Sequence, residues 1–288
     1  MSPVAVLRLP THTNLSGFIA LLQRLKVPHR VSEEAGQQVL WVPGESLAEQ
    51  VRELYSRYPH GNDEVVLETA AVQTQTRPGF LQQIKNNPFT SAVLLLTFIV
   101  AAITLLGDNF SAIRWLSFVD FKIQGDYIYF SSAEQTLQGG QWWRLITPML
   151  IHFGFLHLAM NSLWYWELGR RIESYQGAIA LLGLTLVFSL ASNVAQYSFA
   201  GPSLFGGLSG VLYGLLGHCW IYQRLAPNPA YRLPPGVLVM MLVWLLVCMT
   251  GVFELLQFGS IANAAHVGGL VAGCLTGLCG GLWQRARR

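Results

Sequence analysis

From Ser174 to Gln223 the chain contains no Asp, Glu, Lys or Arg; the bounding charges are Glu173 and Arg224. A stretch of that length cannot offer water an ordinary polar surface, whereas a bilayer demands charge-free runs of about 20 residues per helical crossing. Depletion extends over almost everything after Asn87, while residues 1–70 keep a normal share of Arg, Lys, Glu and Asp. Only 11% of the 288 residues are charged and 52% are hydrophobic, with a mean hydropathy of +0.40. A typical soluble domain has about 25% charged residues. The pattern reads as a small soluble module, 1–70, a polar linker, 71–88, and an all-α polytopic membrane domain, 89–288.

The formal charge of +3 makes no case for a nucleic-acid partner. Cys219, Cys248, Cys274 and Cys279 all lie in apolar runs without CxxC spacing, which reads as packing rather than redox or metal chemistry. His152 and His157 stand at i,i+5 on different helix faces and no HExxH is present, so no metal and no cofactor are expected. MSPVAVLRLP lacks a basic start and a long apolar run, so it does not read as a signal peptide.

In the first module, VAVLRLP reads as a strand, and Leu15, Phe18, Ile19, Leu22 and Leu25 as the apolar face of a helix behind Asn14 as N-cap. HRVS and QQVLWV flank a Glu-Ala-Gly turn as a hairpin. A second helix follows, opened by Ser46. Beyond the linker, which contains Pro78-Gly79, six transmembrane helices are expected near 89–107, 152–171, 177–199, 207–223, 234–256 and 262–283. Arg77 and Lys85 precede the first, Arg170 and Arg171 close the second, Arg224 and Arg232 follow the fourth, and Arg285, Arg287 and Arg288 follow the sixth. The loops after the third and fifth carry no Lys or Arg, so both termini are expected in the cytoplasm. The long outer loop 108–151 is the exception, with Arg114, Lys122 and Arg144. Its aromatics, including Trp115, Phe118, Phe121, Tyr127 and Trp142, are expected at the membrane interface.

With that topology, helices two, four and six run inward from the outer face. They bring His157 and Asn161, Ser209, and His266 to similar depth. A lone serine in a membrane helix is ordinarily a packing residue, and a lone histidine serves equally as a proton relay or ligand. Four such groups at one level from three helices are hard to explain as packing. Ser209 and Tyr213 share a face at i,i+4, as do His157 and Asn161. Gly206, Gly210, Gly214 and Gly217 stripe helix four, while Gly269 and Gly273 accompany His266. Small residues at these intervals let backbones approach closely, which brings Ser209 within hydrogen-bond reach of His266. His218 reads as a satisfied structural histidine.

These residues together resemble the rhomboid intramembrane serine proteases of the bacterial GlpG type. The pair Trp143-Arg144 matches the first-loop WR. HFGFLHLAMN matches HxxxxHxxxN at His152, His157 and Asn161. GGLSGVLYG matches the nucleophile segment at Gly207 and Ser209, and AHVGGLVAG matches AHxxGxxxG around His266. Glu173 occupies the family's acidic position at the inner end of helix two. The resemblance implies a six-transmembrane-helix rhomboid bundle with a small N-terminal α+β cytoplasmic domain. It further implies Ser209 as nucleophile, His266 as general base with no acidic third member, and Tyr213 stacked on His266. Oxyanion stabilisation falls to His157, Asn161 and the Ser209 backbone N–H. The implied partners are transmembrane protein substrates and the lipid bilayer. The implied location is a bacterial inner membrane, with the site opening toward the periplasm. A non-catalytic rhomboid-like helix escort would lack the Ser or the His, and a solute transporter would show repeat symmetry; neither trait is present.

Overall fold

The computed structural model describes residues 3–61, 79–255 and 261–287. Two compact units divide at Arg77/Pro78.

The first unit contains β1 (Pro3–Pro10), α1 (Ser16–Arg24), β2 (Arg30–Glu34), β3 (Gln37–Pro43) and α2 (Glu45–Arg57). The antiparallel sheet has the order β1-β3-β2. β3 is central, and its Leu40 and Val42 pack with Phe18, Leu22, Ala48 and Val51 in one core. The β2–β3 hairpin turns at Ala35 (φ +51°) and Gly36 (φ +75°). Two successive left-handed residues match the right-handed twist of the flanking strands. Both expected helix starts are displaced. Asn14 accepts hydrogen bonds from the Ser16 N–H and Oγ, but Leu15 holds the N-cap position. Gly44, not Ser46, precedes α2.

The second unit begins inside the expected linker. Part of that linker, 71–78, lies outside the described residues, and Phe80–Asn86 form a helix, α3. Then follow α4 (Pro88–Ile103), α5 (Phe110–Leu116), the hairpin β4 (Phe121–Gln124) and β5 (Tyr127–Phe130), and α6 (Ala133–Gln138). Two 3₁₀ turns, Trp142–Leu145 and Thr147–Leu150, lead into α7 (Phe155–Gln176), α8 (Ala178–Ala200) and α9 (Ser209–Leu225). α10 (Val237–Met249), the short α11 (Val252–Leu255) and α12 (Asn263–Ala286) complete the unit. Residues 256–260, in the expected outer loop after the fifth span, lie outside the described residues.

Each expected span coincides with a helix, but the helices differ in kind. Among the described residues, α8 and α12 are long and apolar enough to cross a bilayer, and α4 and α10 are apolar but shorter. The loop 108–151 is a folded insert with its own helices and hairpin. Trp115, Tyr127, Tyr129 and Trp142 are exposed, whereas Phe121 is buried with Ile113 and Ile151 and Phe118 with Val119 and Phe205.

α9 forms the axis of this unit, with every residue from Gly210 to Cys219 buried. The glycine arrangement differs from the expected one. A Cβ at Gly210 would meet Ser192 and one at Gly214 would meet Phe188, so these two glycines admit α8. The close approach of α9 and α12 comes instead from α12: Cβ atoms at Gly269 and Gly273 would fall on the carbonyl oxygens of Gly210 and Gly214. Gly277 lies against His218, continuing that seam. Of the α9 stripe, Gly217 faces α12, beside Leu270 and Gly273.

Candidate active site

Ser209 is the first residue of α9, and His266 lies one turn into α12. The seam of Gly269 and Gly273 sets the helix separation, and His266 Nε2 stands 2.8 Å from Ser209 Oγ. His266 is 6% exposed and Ser209 half-buried. With Nε2 accepting from the hydroxyl, the ring proton belongs on Nδ1, which has no hydrogen-bond partner among the described residues. Tyr213 lies one turn below Ser209, its ring centroid 5.0 Å from that of His266 at a 42° tilt. The Tyr213 ring thus packs against the His266 imidazole. The Tyr213 hydroxyl, to which the sequence assigned no partner, donates to the carbonyl of Met241 on α10 at 3.0 Å.

His157 and Asn161 lie one turn apart on α7 and converge on Gly207. That glycine has φ +115°, a conformation side chains rarely adopt. A Cβ there would stand 2.7 Å from both Cε1 and Nε2 of His157 and 3.7 Å from Asn161 Nδ2. Any other residue would expel His157. The Asn161 amide donates one hydrogen to the His157 carbonyl at 2.9 Å and retains a second. As the first helical residue, Ser209 has a backbone N–H without an intrahelical acceptor. Gly207 N–H donates to the Pro148 carbonyl at 3.0 Å, pinning the segment before α9 to the one before α7.

Comparison with known proteins identifies the family. The rhomboid domain family matches residues 139–282, half of the chain, and the rhomboid N-terminal domain family matches residues 1–69. The chain belongs to the rhomboid family. It is 38% identical over 192 residues to Rhomboid protease GlpG of Serratia proteamaculans (strain 568), covering 66% of this chain and 62% of that relative. Against Rhomboid protease GlpG of Yersinia pestis (strain Pestoides F) it is 35% identical over 201 residues, covering 69% and 66%. The matched segments thus span just under two thirds of these relatives. The solution structure of the N-terminal domain of a rhomboid intramembrane protease from P. aeruginosa is 66% identical over 24% of this chain and 100% of its own, with a TM-score of 0.19.

Other rhomboid-motif residues lie in supporting contacts. Arg144 is buried and donates to Gln141 Oε1 (2.6 Å), to the carbonyls of Arg114 (2.5 Å) and Ser117 (2.9 Å), and to Ser117 Oγ (3.3 Å). Burial holds its guanidinium below the ordinary value, opposed by Asp120 at 3.5 Å. Trp143 Nε1 donates to the Trp115 carbonyl at 2.9 Å. The pair therefore ties the rhomboid insert together through backbone acceptors. The buried Glu173 accepts from the N–H groups of Phe89 (2.7 Å) and Thr90 (2.8 Å) and from Thr90 Oγ1 (2.6 Å), capping α4 from α7. His152 is buried, with Nδ1 3.2 Å from the Leu150 carbonyl and its ring 5.0 Å from His157. His218 sits between Thr276 Oγ1 (3.1 Å) and Gln176 Nε2 (3.3 Å), as a satisfied histidine should.

One polar stripe was missed in the sequence. On α8, Ser189 donates to the Ile146 carbonyl (2.9 Å) and Asn193 to the Leu145 carbonyl (2.9 Å), and Gln196 Oε1 accepts from Ala265 N–H (3.1 Å). Gln196 thus caps the first turn of α12 next to His266. The signal was present, because Ser189, Ser192, Asn193 and Gln196 recur at helical spacing in an otherwise apolar run.

Proposed function

We propose that this rhomboid-family chain is an intramembrane serine endopeptidase acting through a Ser209–His266 dyad. The 2.8 Å contact between Ser209 Oγ and His266 Nε2 carries the reading. A serine hydroxyl becomes an effective nucleophile when a base removes its proton during attack. As Oγ attacks the scissile carbonyl, His266 Nε2 takes that proton, and then delivers it to the departing amine. Water, deprotonated by the same imidazole, hydrolyses the acyl-enzyme. The tetrahedral oxyanion forms where His157, the spare Asn161 amide hydrogen and the Ser209 N–H can donate. Removing one such donor costs about 10²–10³ in rate elsewhere. Tyr213 restricts the ring of the base in place of a third charged residue.

The same reading places six membrane crossings in α4, α7, α8, α9, α10 and α12, with both termini cytoplasmic and the site open to the periplasm in a bacterial inner membrane. Residues 1–70 act as a cytoplasmic domain and 89–288 as the protease domain. Substrates are transmembrane proteins whose cleaved segment unwinds locally, since a helix sequesters its carbonyls in i→i−4 bonds. Purified protein incubated with a panel of single-span membrane proteins should cut at least one. Mass spectrometry should place the cut in or beside the spanning segment. A fluorophosphonate probe should label wild type at Ser209 and leave Ser209→Ala unlabelled; labelling of another serine would overturn the assignment.

A further inference from the structure

We infer that the left-handed turn Leu105-Leu106-Gly107 is a positioning device for His157, which fixes the imidazole as the Nε2–H tautomer facing Gly207. The structural part stands alone, and its kinetic consequence rests on the proteolytic reading above. α4 ends at Ile103, and the next residues after Thr104 have φ of +49°, +54° and +111°. Stopping a helix takes a single left-handed residue, usually glycine. Two leucines in that region are uncommon, and such strain persists where surrounding structure requires it.

What requires it is the approach to α7. The Leu106 carbonyl accepts from Gly154 N–H at 2.8 Å. Gly107 lies flat against Phe153, where a Cβ would come within 2.8 Å of the ring and 3.4 Å of Cα. The Phe153–Gly154 link is thereby clamped, and Phe153 N–H is aimed at His157 Nδ1, 3.4 Å away. A nitrogen that accepts cannot also carry the proton of a neutral imidazole, so the proton lies on Nε2. Nε2 is the atom set against Gly207, two residues before Ser209. The opposite tautomer would bring two donors together at Phe153 and turn a lone pair toward the developing oxyanion.

Nitrogen-15 NMR of histidine-labelled full-length protein in detergent reads the tautomer directly, with His157 assigned by its loss in His157→Ala. Wild type is expected to carry the proton on Nε2. In Gly107→Ala the clash with Phe153 should shift His157 toward the Nδ1–H form. It should also lower kcat by about tenfold or more with KM little changed, part of the loss expected for a missing oxyanion donor. Leu106→Gly keeps the carbonyl and favours the same backbone, so tautomer and kcat should stay near wild type. A wild-type His157 protonated on Nδ1 overturns the inference with no variant needed. A Gly107→Ala spectrum identical to wild type at His157 overturns it too. If the tautomers behave as stated but wild type cleaves no membrane substrate, it is the proteolytic reading that fails.

Discussion

A serine hydroxyl stays protonated at neutral pH, so Ser209 depends on the imidazole 2.8 Å away. On the proposed dyad the pair acts as one unit, so Ser209→Ala and His266→Ala should each abolish cleavage, with the double variant scarcely worse than either. Additive losses in single-turnover kinetics would show that the two act separately. Tyr213 divides into two roles. Its ring faces His266, and its hydroxyl donates to the Met241 carbonyl. Tyr213→Phe should keep cleavage within a few-fold of wild type and cost about 0.5–1.5 kcal/mol of stability for the lost bond; Tyr213→Ala should lose most activity. Equal inactivity of the two variants would assign the effect to the hydroxyl. The ring contact was implied by the rhomboid resemblance, whereas the spacing showed only that Ser209 and Tyr213 share a helix face. The hydroxyl's acceptor was not legible, because it is a backbone carbonyl on another helix, and any residue type supplies one.

Helices meet here according to where glycine exposes backbone. Gly273→Val would drive a side chain onto the Gly214 carbonyl and part α9 from α12, two turns from His266. Overpacking of this sort costs about 1–3 kcal/mol, and activity should fall further than stability because the dyad spans the seam. Thermal denaturation should show the Gly273→Val loss, whereas Gly183→Ala on α8, where a Cβ meets nothing within 4 Å, should be neutral or stabilising. Which glycines form the seam was not legible: spacing shows that a helix has a small-residue face but not which neighbour occupies it. In the insert 108–151, Arg114 hydrogen-bonds Asp120 through two nitrogens, at 2.7 and 2.9 Å, and holds its carboxyl below the usual range. A depressed carboxylate stabilises the fold fully above its unfolded pKa, about 3.9, and the benefit is lost as pH falls through the folded value. The thermal midpoint advantage of wild type over Asp120→Asn should therefore be steady near neutrality and shrink below about pH 4. An advantage undiminished in acid would mean that Asp120 acts through packing. The insert's helices and hairpin escaped the sequence reading because its aromatics carry no period that separates packing from surface residues: Phe121 packs with Ile113 and Ile151, whereas Phe118 packs against Tyr197 and Phe205 outside the insert.

For the whole molecule, charge distribution carries the argument about orientation. The boundary between a charged module and a charge-poor one was plain in composition, and the contact division at Arg77/Pro78 falls close to it. The number of crossings is harder to read. α7 and α9 carry groups that depress hydropathy, among them His157, Asn161, Glu167, Arg170 and Arg171 on α7, so length and apolarity alone pick out α8 and α12. The proposed orientation rests on the cations near the helix ends. Arg170 and Arg171 lie in the last two turns of α7, Arg224 in the last turn of α9, and Arg285 and Arg287 at the end of α12, while α8 and α10 end without Lys or Arg. Of the three cations in the insert 108–151, Arg144 is buried against backbone carbonyls and Arg114 is paired with Asp120, so only Lys122 among the described residues of that insert stands outside these contacts. Positive charge near the short loops sets the inside face, and the insert's exceptions are thus largely consumed in its own fold. Alkaline phosphatase fused after Arg288 should be inactive, and the same reporter in the loop 201–206 should be active. The reverse pattern would turn the molecule over, opening the Ser209 site to the cytoplasm and excluding periplasmic substrate segments.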